Sequence, residues 1–168
     1  MLEPMGWDQS LERTALGGVF TPWRPELGLT ISLSRTRGAA ACAVGRGCRV
    51  GVDIEAIDES VDALGVAQMQ FDARSAALVA TASPPDRTRL FYQLWTLNEA
   101  GLKALGVGFG KSVLLNLDLE PPKIAGGEPQ GLNWKAYLPA TVPGLSLALA
   151  VLAQGESEPQ LHLQKFEL

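Results

Sequence analysis

Residues 49–55 read R-V-G-V-D-I-E, an apolar run that ends in two carboxylates, Asp53 and Glu55. Further along, residues 94–106 read L-W-T-L-N-E-A-G-L-K-A-L-G, which places Glu99 and Lys103 one helical turn apart. The first stretch predicts a buried strand and the second a helix. Together they bring three acids and one cation to a strand end and a helix face, a combination typical of a metal and phosphate site.

Residues 30–34 alternate apolar and polar side chains, which is typical of a strand. Residues 1–28 show little periodicity and predict a short helix or loop. Three consecutive strands follow, and they predict an antiparallel sheet: residues 30–34, a turn at 35–38, a more buried strand at 39–44, a hairpin turn at 45–47 and the strand at 49–54.

Beyond residue 60 the apolar spacing becomes helical and then returns to alternation. Two short helices are expected within residues 60–82, and the Ser and Pro residues at 83–85 mark the start of a longer helix at 86–105 that ends at Gly106. Gly101 inside that helix costs roughly 1 kcal/mol relative to Ala, which indicates either a close approach by another backbone or a ligand, or nothing beyond the cost itself. Strands are predicted at 112–119, 132–138, 145–153 and 161–166, with a loop at 121–130. This order gives an α+β fold.

The amino-acid composition and net charge limit the classes of protein to which this chain can belong. The 168 residues are 46% hydrophobic and 19% charged, enough apolar material for one domain or two small lobes that share a core. A net charge of -4 argues against a nucleic-acid binder. We find neither a long apolar run nor a signal-like N-terminus, so we expect a cytoplasmic protein without a membrane contact. Cys42 and Cys48 predict no disulfide framework, and His162 is assigned to a surface strand.

The four charged residues allow two interpretations. Asp53 and Glu55 point to one face of a strand, and such like charges are unfavourable unless a cation such as Mg²⁺ lies between them. Glu99 then serves as a third ligand or a general base, and Lys103 neutralises phosphate charge. On spacing alone the commoner interpretation is a solvated strand end and a surface ion pair that contributes about 0.3–0.5 kcal/mol.

The full strings favour the first interpretation. The two strings V-G-V-D-I-E and L-W-T-L-N-E-A-G-L-K-A-L-G-V-G-F, with forty-five residues between Asp53 and Glu99, resemble the 4'-phosphopantetheinyl transferase superfamily. Its pattern is G-(V/I)-D-x-E, a spacer of this length, and W-(S/T)-x-K-E-A-x-x-K-(A/L)-x-G. T-I-S-L-S-R-T-R-G resembles the family's N-(L/I)-S-H-S segment, and P-G-L-S-L-A-L-A resembles its closing strand. The resemblance covers roughly residues 29–153.

The resemblance implies a 4'-phosphopantetheinyl transferase-like α+β fold. Antiparallel sheets pack against a long helix, and the two lobes are related by a pseudo-two-fold. The chain is most similar to the two-lobed, surfactin-synthetase-activating type, with a truncated first lobe. Residues 1–48 are assigned to the shortened N-terminal lobe, and residues 49–168 to the C-terminal lobe that carries both motifs. Small members of the family trimerise with the site between subunits, so a homo-oligomer is also raised, although those members lack the S-x-S strand.

The resemblance also implies the activity, which is Mg²⁺-dependent transfer of 4'-phosphopantetheine from coenzyme A to a serine of an acyl or peptidyl carrier protein. Such carriers serve fatty acid, polyketide or nonribosomal peptide biosynthesis. The residues it assigns are metal ligands Asp53, Glu55 and Glu99, catalytic residues Glu99 and Lys103, and coenzyme A-binding residues Ser32, Ser34, Arg35, Arg37 and Lys103.

Some positions depart from the family pattern. Asn98 replaces a Lys, Leu33 replaces a phosphate-binding His, and Ser75 replaces a frequent Glu. No basic G-K-P-type loop precedes the first motif. These departures keep open a degenerate relative that binds coenzyme A or a carrier protein without catalysis. A structural α+β module without a ligand is the third hypothesis.

Overall fold

The computed structural model describes residues 12–13, 19–20, 28–107, 113–141, 143–155, 159–162 and 164, and the fold is given for these. The strands among them are β1 (Glu12–Arg13), β2 (Val19–Phe20), β3 (Leu29–Thr36), β4 (Ala39–Arg46), β5 (Arg49–Ala56), β6 (Asn116–Leu119), β7 (Pro122–Ala125), β8 (Leu132–Tyr137) and β9 (Leu145–Gln154). The helices are α1 (Ala63–Gln70), α2 (Ala73–Thr81) and α3 (Pro84–Leu105). The α+β prediction is confirmed.

Two sheets meet at β5. The β3–β4 hairpin is antiparallel over its whole length, and β2 and β1 extend it on the β3 side. β5 does not continue this hairpin. It pairs instead with β9 in the antiparallel sheet β5-β9-β8, so the predicted antiparallel sheet of three consecutive strands is wrong at its third strand. The physical reason is that β9 offers β5 a ladder of eight residue pairs, from Arg49↔Leu152 to Ala56↔Leu145.

The hairpin differs from prediction in length and exposure. β3 continues through Thr36, because Arg35 and Thr36 pair with Ala40 and Ala39 where a turn was expected. The prediction that β4 is the more buried strand is wrong. Alternate β4 side chains face solvent, and Val44 is 63% exposed.

The three helices follow the predicted order. α1 and α2 confirm two short helices, and the side chains of Asp62 and Asp72 accept backbone N–H bonds at their N-termini. α3 begins two residues earlier than expected, with Pro in its first turn. It ends at Gly106, whose left-handed backbone (φ 72°) lets its N–H close on the carbonyl groups of Leu102 and Lys103. None of the helices in the described residues is long and apolar enough to span a membrane.

A glycine sets how closely α3 lies on β5. A Cβ on Gly51 would lie 1.9 Å from the Ala100 carbonyl oxygen and 2.6 Å from the Ala104 nitrogen. Both are backbone atoms of α3, so a side chain cannot be accommodated without separating helix and strand. The hydrophobic core lies along this contact and includes Leu94, Leu97, Ala148, Ala150 and Leu152. Glycine at position 51 therefore fixes the distance across which the predicted site must form.

The second half of the chain contains further corrections. The predicted loop at 121–130 contains β7, which pairs with β6 from Asn116↔Ala125 to Leu119↔Pro122. This hairpin covers Gly101, where the side chains of Leu115 and Ile124 occupy the space that a Cβ would need. The close approach inferred at Gly101 is thus a side-chain contact.

The predictions for the two ends of the chain are tested only in part. Of the predicted strand at 161–166, residues 161, 162 and 164 are described and lie outside any strand, which leaves His162 exposed but not in a strand. Positions 163, 165 and 166 lie outside the described residues. The short strands β1 and β2 replace part of the helix or loop expected at 1–28. Most of the remaining residues of that segment lie outside the described residues. Cys42 and Cys48 are free thiols, as expected.

Candidate functional site

β5 presents the site on the face that meets α3. Side chains alternate along a strand, so Gly51, Asp53 and Glu55 share one face. Because Gly51 admits the α3 backbone, Asp53 comes within reach of side chains on the adjacent turns of the helix. Asp53 and Glu99 are 3% and 5% exposed, respectively. The predicted site residues of β5 and α3 are therefore brought together at the buried end of the strand–helix contact.

Lys103 provides the cation of the site. Its Nζ lies 2.7 Å from Asp53 Oδ1 and donates a second hydrogen bond, of 3.0 Å, to the Val52 carbonyl oxygen. The side chains of Lys103 and Asp53 are 18% and 5% exposed, so this ion pair is shielded from solvent. Charge-assisted hydrogen bonds of this kind are stronger than neutral ones. The alternative interpretation paired Lys103 with Glu99 at the surface, whereas the structure pairs Lys103 with Asp53 inside the protein.

The two oxygens of Asp53 have different environments. Oδ1 accepts hydrogen bonds from Lys103 and from the Ser34 hydroxyl, which lies 2.8 Å away. Oδ2 is buried and has no hydrogen-bond partner among the residues that the structure describes. An unpaired buried carboxylate oxygen is costly, and such groups in native structures commonly mark a site for a further ligand.

The surroundings of Glu99 and Glu55 disfavour the ionised form of both carboxyl groups. Burial, and next the charge of Asp53, raise the pKa of Glu99 to about 7, with a smaller increase from Glu55 and an opposing effect of Lys103. Burial and the Asp53 charge also raise the pKa of Glu55, opposed by a hydrogen bond from Thr36 and by Lys103. A carboxyl with a pKa of about 7 can accept or release a proton near neutral pH.

The hydroxyl groups of β3 lie along the free edge of β5. Ser32 is buried, and its Oγ accepts the Val52 N–H at 3.0 Å. Thr36, which was not among the predicted site residues, donates to Glu55 Oε2 at 3.2 Å. The signal was present in T-I-S-L-S-R-T (30–36), where every second residue carries a hydroxyl. It was missed because the predicted strand stopped at Ser34.

The predicted phosphate-binding arginines lie outside the carboxylate cluster. Arg35 is exposed on β3, and Arg37 is exposed in the β3–β4 turn. Hydrogen bonds from the Ser60 hydroxyl and backbone N–H lower the pKa of Asp58, and the charge of Arg37 lowers it further by a smaller amount. The Arg37 guanidinium therefore lies near Asp58, which follows the end of β5. Leu33 has the opposite strand parity from Ser32 and Ser34 and therefore points away from their face. Asn98 is half-buried on α3.

In this conformation, no three His, Cys, Asp or Glu side chains within the described ranges are arranged so that they could hold a metal ion. The cation beside Asp53 is the Lys103 ammonium. The donor set nevertheless fits a hard cation in its chemistry, since Asp53, Glu55 and Glu99 all supply oxygen and one buried oxygen of Asp53 lacks a partner. Mg²⁺ at these residues remains a prediction.

Comparison with known proteins identifies the family. Residues 49–146 match the model of the 4'-phosphopantetheinyl transferase superfamily, and this match covers more than half of the chain. The chain therefore belongs to that superfamily. It is 31% identical over 100 residues to 4'-phosphopantetheinyl transferase HetI from Nostoc sp., an alignment that covers 60% of this chain and 42% of HetI. The chain thus spans less than half the length of this curated relative.

Solved structures are similar in fold. The holo-[acyl-carrier-protein] synthase of Thermotoga maritima shares 22% identity and a TM-score of 0.50, over 64% of each chain. A holo-(acyl-carrier-protein) synthase from Bacillus anthracis str. Ames, solved in complex with CoA (3',5'-ADP), shares 15% identity and a TM-score of 0.46, over 64% of this chain and 96% of that one. At this identity the Thermotoga maritima structure supports the fold alone, and it agrees with the α+β architecture.

Proposed function

We propose that this protein transfers 4'-phosphopantetheine from coenzyme A to a serine hydroxyl of an acyl or peptidyl carrier protein. The observation that carries the proposal is the convergence of Asp53, Glu99 and Lys103 at one buried contact. There, burial and the surrounding carboxylates raise the pKa of Glu99 to about 7. The family match places the same motifs in a transferase superfamily. Buried carboxylates with strongly perturbed pKa values are typical of functional sites.

Glu99 is assigned as the general base or as a third metal ligand. As the base it accepts the proton of the carrier serine, whose oxygen then bonds to the phosphorus of the phosphopantetheine group. The bond from that phosphorus to the bridging oxygen breaks, and 3',5'-ADP leaves with the bonding electrons. Lys103 lies beside the cluster, where its ammonium stabilises phosphate charge. In the metal-free protein the pKa of Glu99 is about 7, a value that suits this proton transfer near neutral pH when Glu99 acts as the base and not as a metal ligand.

Mg²⁺ is the metal that these residues fit, with Asp53, Glu55 and Glu99 as ligands. When bound, it supplies charge neutralisation at the diphosphate of coenzyme A. The unpartnered Oδ2 of Asp53 supports this assignment. Because the Lys103 ammonium already neutralises Oδ1, the other oxygen remains available to a second cation.

The coenzyme A phosphates are assigned to Ser32, Arg35, Arg37 and Lys103, whereas the Ser34 hydroxyl is engaged with the carboxylate of Asp53. Arg35 has the strand parity of Leu33, so it would meet the ligand from outside the face that Ser32 and Ser34 share. The exposure of both arginines allows them to meet a charged ligand. We assign residues 1–48 to an N-terminal lobe and 49–168 to the catalytic lobe, a division supported by the start of the family match at residue 49. A cytoplasmic location and a homo-oligomer belong to the same proposal.

The test is a mass measurement on the product. Purified protein, coenzyme A, Mg²⁺ and an apo carrier protein are expected to yield a carrier heavier by one phosphopantetheine. Asp53→Ala is expected to abolish the transfer, whereas Asp58→Ala, an exposed carboxylate near the end of the same strand, retains it. The absence of a mass shift with several carriers at high protein concentration would contradict the proposal, and unchanged turnover of Asp53→Ala would contradict the metal assignment.

A second function is supported by one specific observation. Leu33 and Asn98 carry no charge where the family pattern has cationic or phosphate-binding residues, which favours a relative that binds coenzyme A or a carrier without catalysis. Calorimetry distinguishes the two functions. Coenzyme A or carrier binding with a silent mass assay would select the binding protein, and Asn98→Lys would then be expected to raise any residual transfer.

A further inference from the structure

We infer that the Ser34 and Thr36 hydroxyls are positioning residues that hold the two β5 carboxylates in place for a metal ion. The inference rests on the proposed function, and it assigns to these two residues a task other than contact with coenzyme A. Ser34 binds the carboxylate of Asp53, and Thr36 binds that of Glu55.

The same bridge occurs twice. The Ser34 Oγ accepts the Ile54 N–H at 3.3 Å and donates to Asp53 Oδ1 at 2.8 Å. Two residues further along β3, the Thr36 Oγ1 accepts the Ala56 N–H at 3.0 Å and donates to Glu55 Oε2 at 3.2 Å. Each hydroxyl therefore joins a carboxylate to the backbone N–H of the residue that follows it.

The bridge leaves each hydroxyl little choice of orientation. A hydroxyl has one proton to donate, and the β5 N–H already occupies one of its lone pairs. Its proton is consequently directed to the carboxylate oxygen. In Asp53 this engages Oδ1, together with Lys103, and leaves Oδ2 without a partner among the described residues. The bridge thus selects which oxygen of Asp53 is available to an incoming cation.

The rest of the hydroxyl row separates this role from a purely structural one. Thr30 has the same parity on β3 and is 5% exposed, but its hydroxyl donates to the Cys48 carbonyl oxygen and not to a carboxylate. Thr30 therefore ties β3 to Cys48, which lies just before β5, and it does not contact the carboxylates of the site. It is a matched control for the hydroxyls at positions 34 and 36.

The test compares Ser34→Ala, Thr36→Val and Thr30→Val in the full chain. Mg²⁺ affinity is measured by titration calorimetry with MgCl₂ and protein alone, and the KM for coenzyme A is measured separately. We expect Ser34→Ala and Thr36→Val to weaken Mg²⁺ binding about 10–100-fold, as is typical when a group that orients a metal ligand is removed. Measured at saturating MgCl₂, where the weakened metal site is still filled, the KM for coenzyme A should change less than about 2-fold, and Thr30→Val should leave the Mg²⁺ affinity unchanged. Thr36→Ser, which keeps the hydroxyl, should bind Mg²⁺ with the affinity of the wild-type protein.

Two results would overturn the inference. One is an unchanged Mg²⁺ affinity in folded Ser34→Ala and Thr36→Val. The other is a raised KM for coenzyme A at constant Mg²⁺ affinity, which would make Ser34 a coenzyme A contact. If Ser34→Ala does not fold, the inference is tested by comparing the Mg²⁺ affinities of Thr36→Val and Thr36→Ser, which change a residue at the end of the strand. Failure of the proposed function has a different signature: wild-type protein then binds no Mg²⁺ or transfers nothing to the carrier.

Discussion

Lys103 Nζ lies 2.7 Å from Asp53 Oδ1, and this contact joins α3 to β5 inside the protein, where the two side chains are 18% and 5% exposed. The ammonium is the counter-ion of a cluster that also contains Glu55 and Glu99, and it opposes the rise in the pKa of both. In effect, the folded chain carries its own cation at the predicted metal site.

Replacing Lys103 by Met leaves the buried carboxylate of Asp53 without its cation. Loss of one partner from a buried pair costs about 3–5 kcal/mol, so we expect a large drop in the free energy of unfolding, measured by urea denaturation. Millimolar MgCl₂ should recover more stability in Lys103→Met than in wild type, because the variant has the greater need of a cation. Lys123→Met, at an exposed strand position, is the control and should change stability by less than about 0.5 kcal/mol. Equal effects of the two variants would contradict this account.

The raised pKa of Glu99 predicts how metal-free stability depends on pH. Its pKa is about 7 in the folded protein against an ordinary 4.5, so the folded state holds the proton more tightly. The stability from protonated Glu99 is complete below pH 4.5 and is lost as the pH rises through about 7. We expect a loss on the order of 3 kcal/mol between these limits. Glu99→Gln should make the unfolding free energy less dependent on pH, as measured by urea denaturation in the presence of EDTA. If wild type and Glu99→Gln lose stability in parallel as the pH rises, the assignment of this dependence to Glu99 is wrong.

The contact at Gly51 predicts a contrast between two glycines. Gly51→Ala places a methyl group against α3 backbone atoms that cannot move separately, so we expect a loss of about 3 kcal/mol in unfolding free energy, the upper end of the usual cost of overpacking. Gly101→Ala meets only the ends of Leu115 and Ile124 and gains about 1 kcal/mol of helix propensity, so its net loss should be clearly smaller. Chemical denaturation of both variants measures the difference. A Gly101→Ala variant as unstable as Gly51→Ala would contradict the prediction.

Arg37 predicts a binding effect without a catalytic one. Arg37→Ala removes an exposed charge near the end of β5, and we expect the KM for coenzyme A to rise about 10-fold, equivalent to about 1.4 kcal/mol, with kcat within about 2-fold. Arg46→Ala is the control, because Arg46 is equally exposed but lies at the opposite end of the β3–β4 hairpin. A matching rise in Arg46→Ala would indicate a general charge effect and not a contact with the phosphates.

The order of the central elements from β3 to α3 and the carboxylates of the site could be predicted from the sequence, because both depend on local pattern. The helix that carries Glu99 has a periodic apolar face and a glycine stop, and D-x-E on a strand places both carboxylates on one side. The partner of β5 could not be predicted. Strand pairing is set by tertiary packing, and β9 lies about ninety residues further along the chain.

The environment of the carboxylates was also beyond prediction from spacing. The ion pair of Lys103 with Asp53 crosses from helix to strand, whereas the sequence suggested a pair with Glu99 on the same helix. Its strength depends on burial, which Gly51 makes possible by admitting the α3 backbone. Thr36 was missed because its role requires a strand that continues past Ser34.

The hydroxyl row of β3 also protects the chain against association. β5 pairs with β9 on one side only, and on the other side its N–H groups at Val52, Ile54 and Ala56 are hydrogen-bonded by Ser32, Ser34 and Thr36. A strand edge with unpaired donors is a template for strands of other molecules. By covering this edge with side chains, the protein keeps β5 from recruiting a neighbour, so loss of several of these hydroxyls together would be expected to promote aggregation.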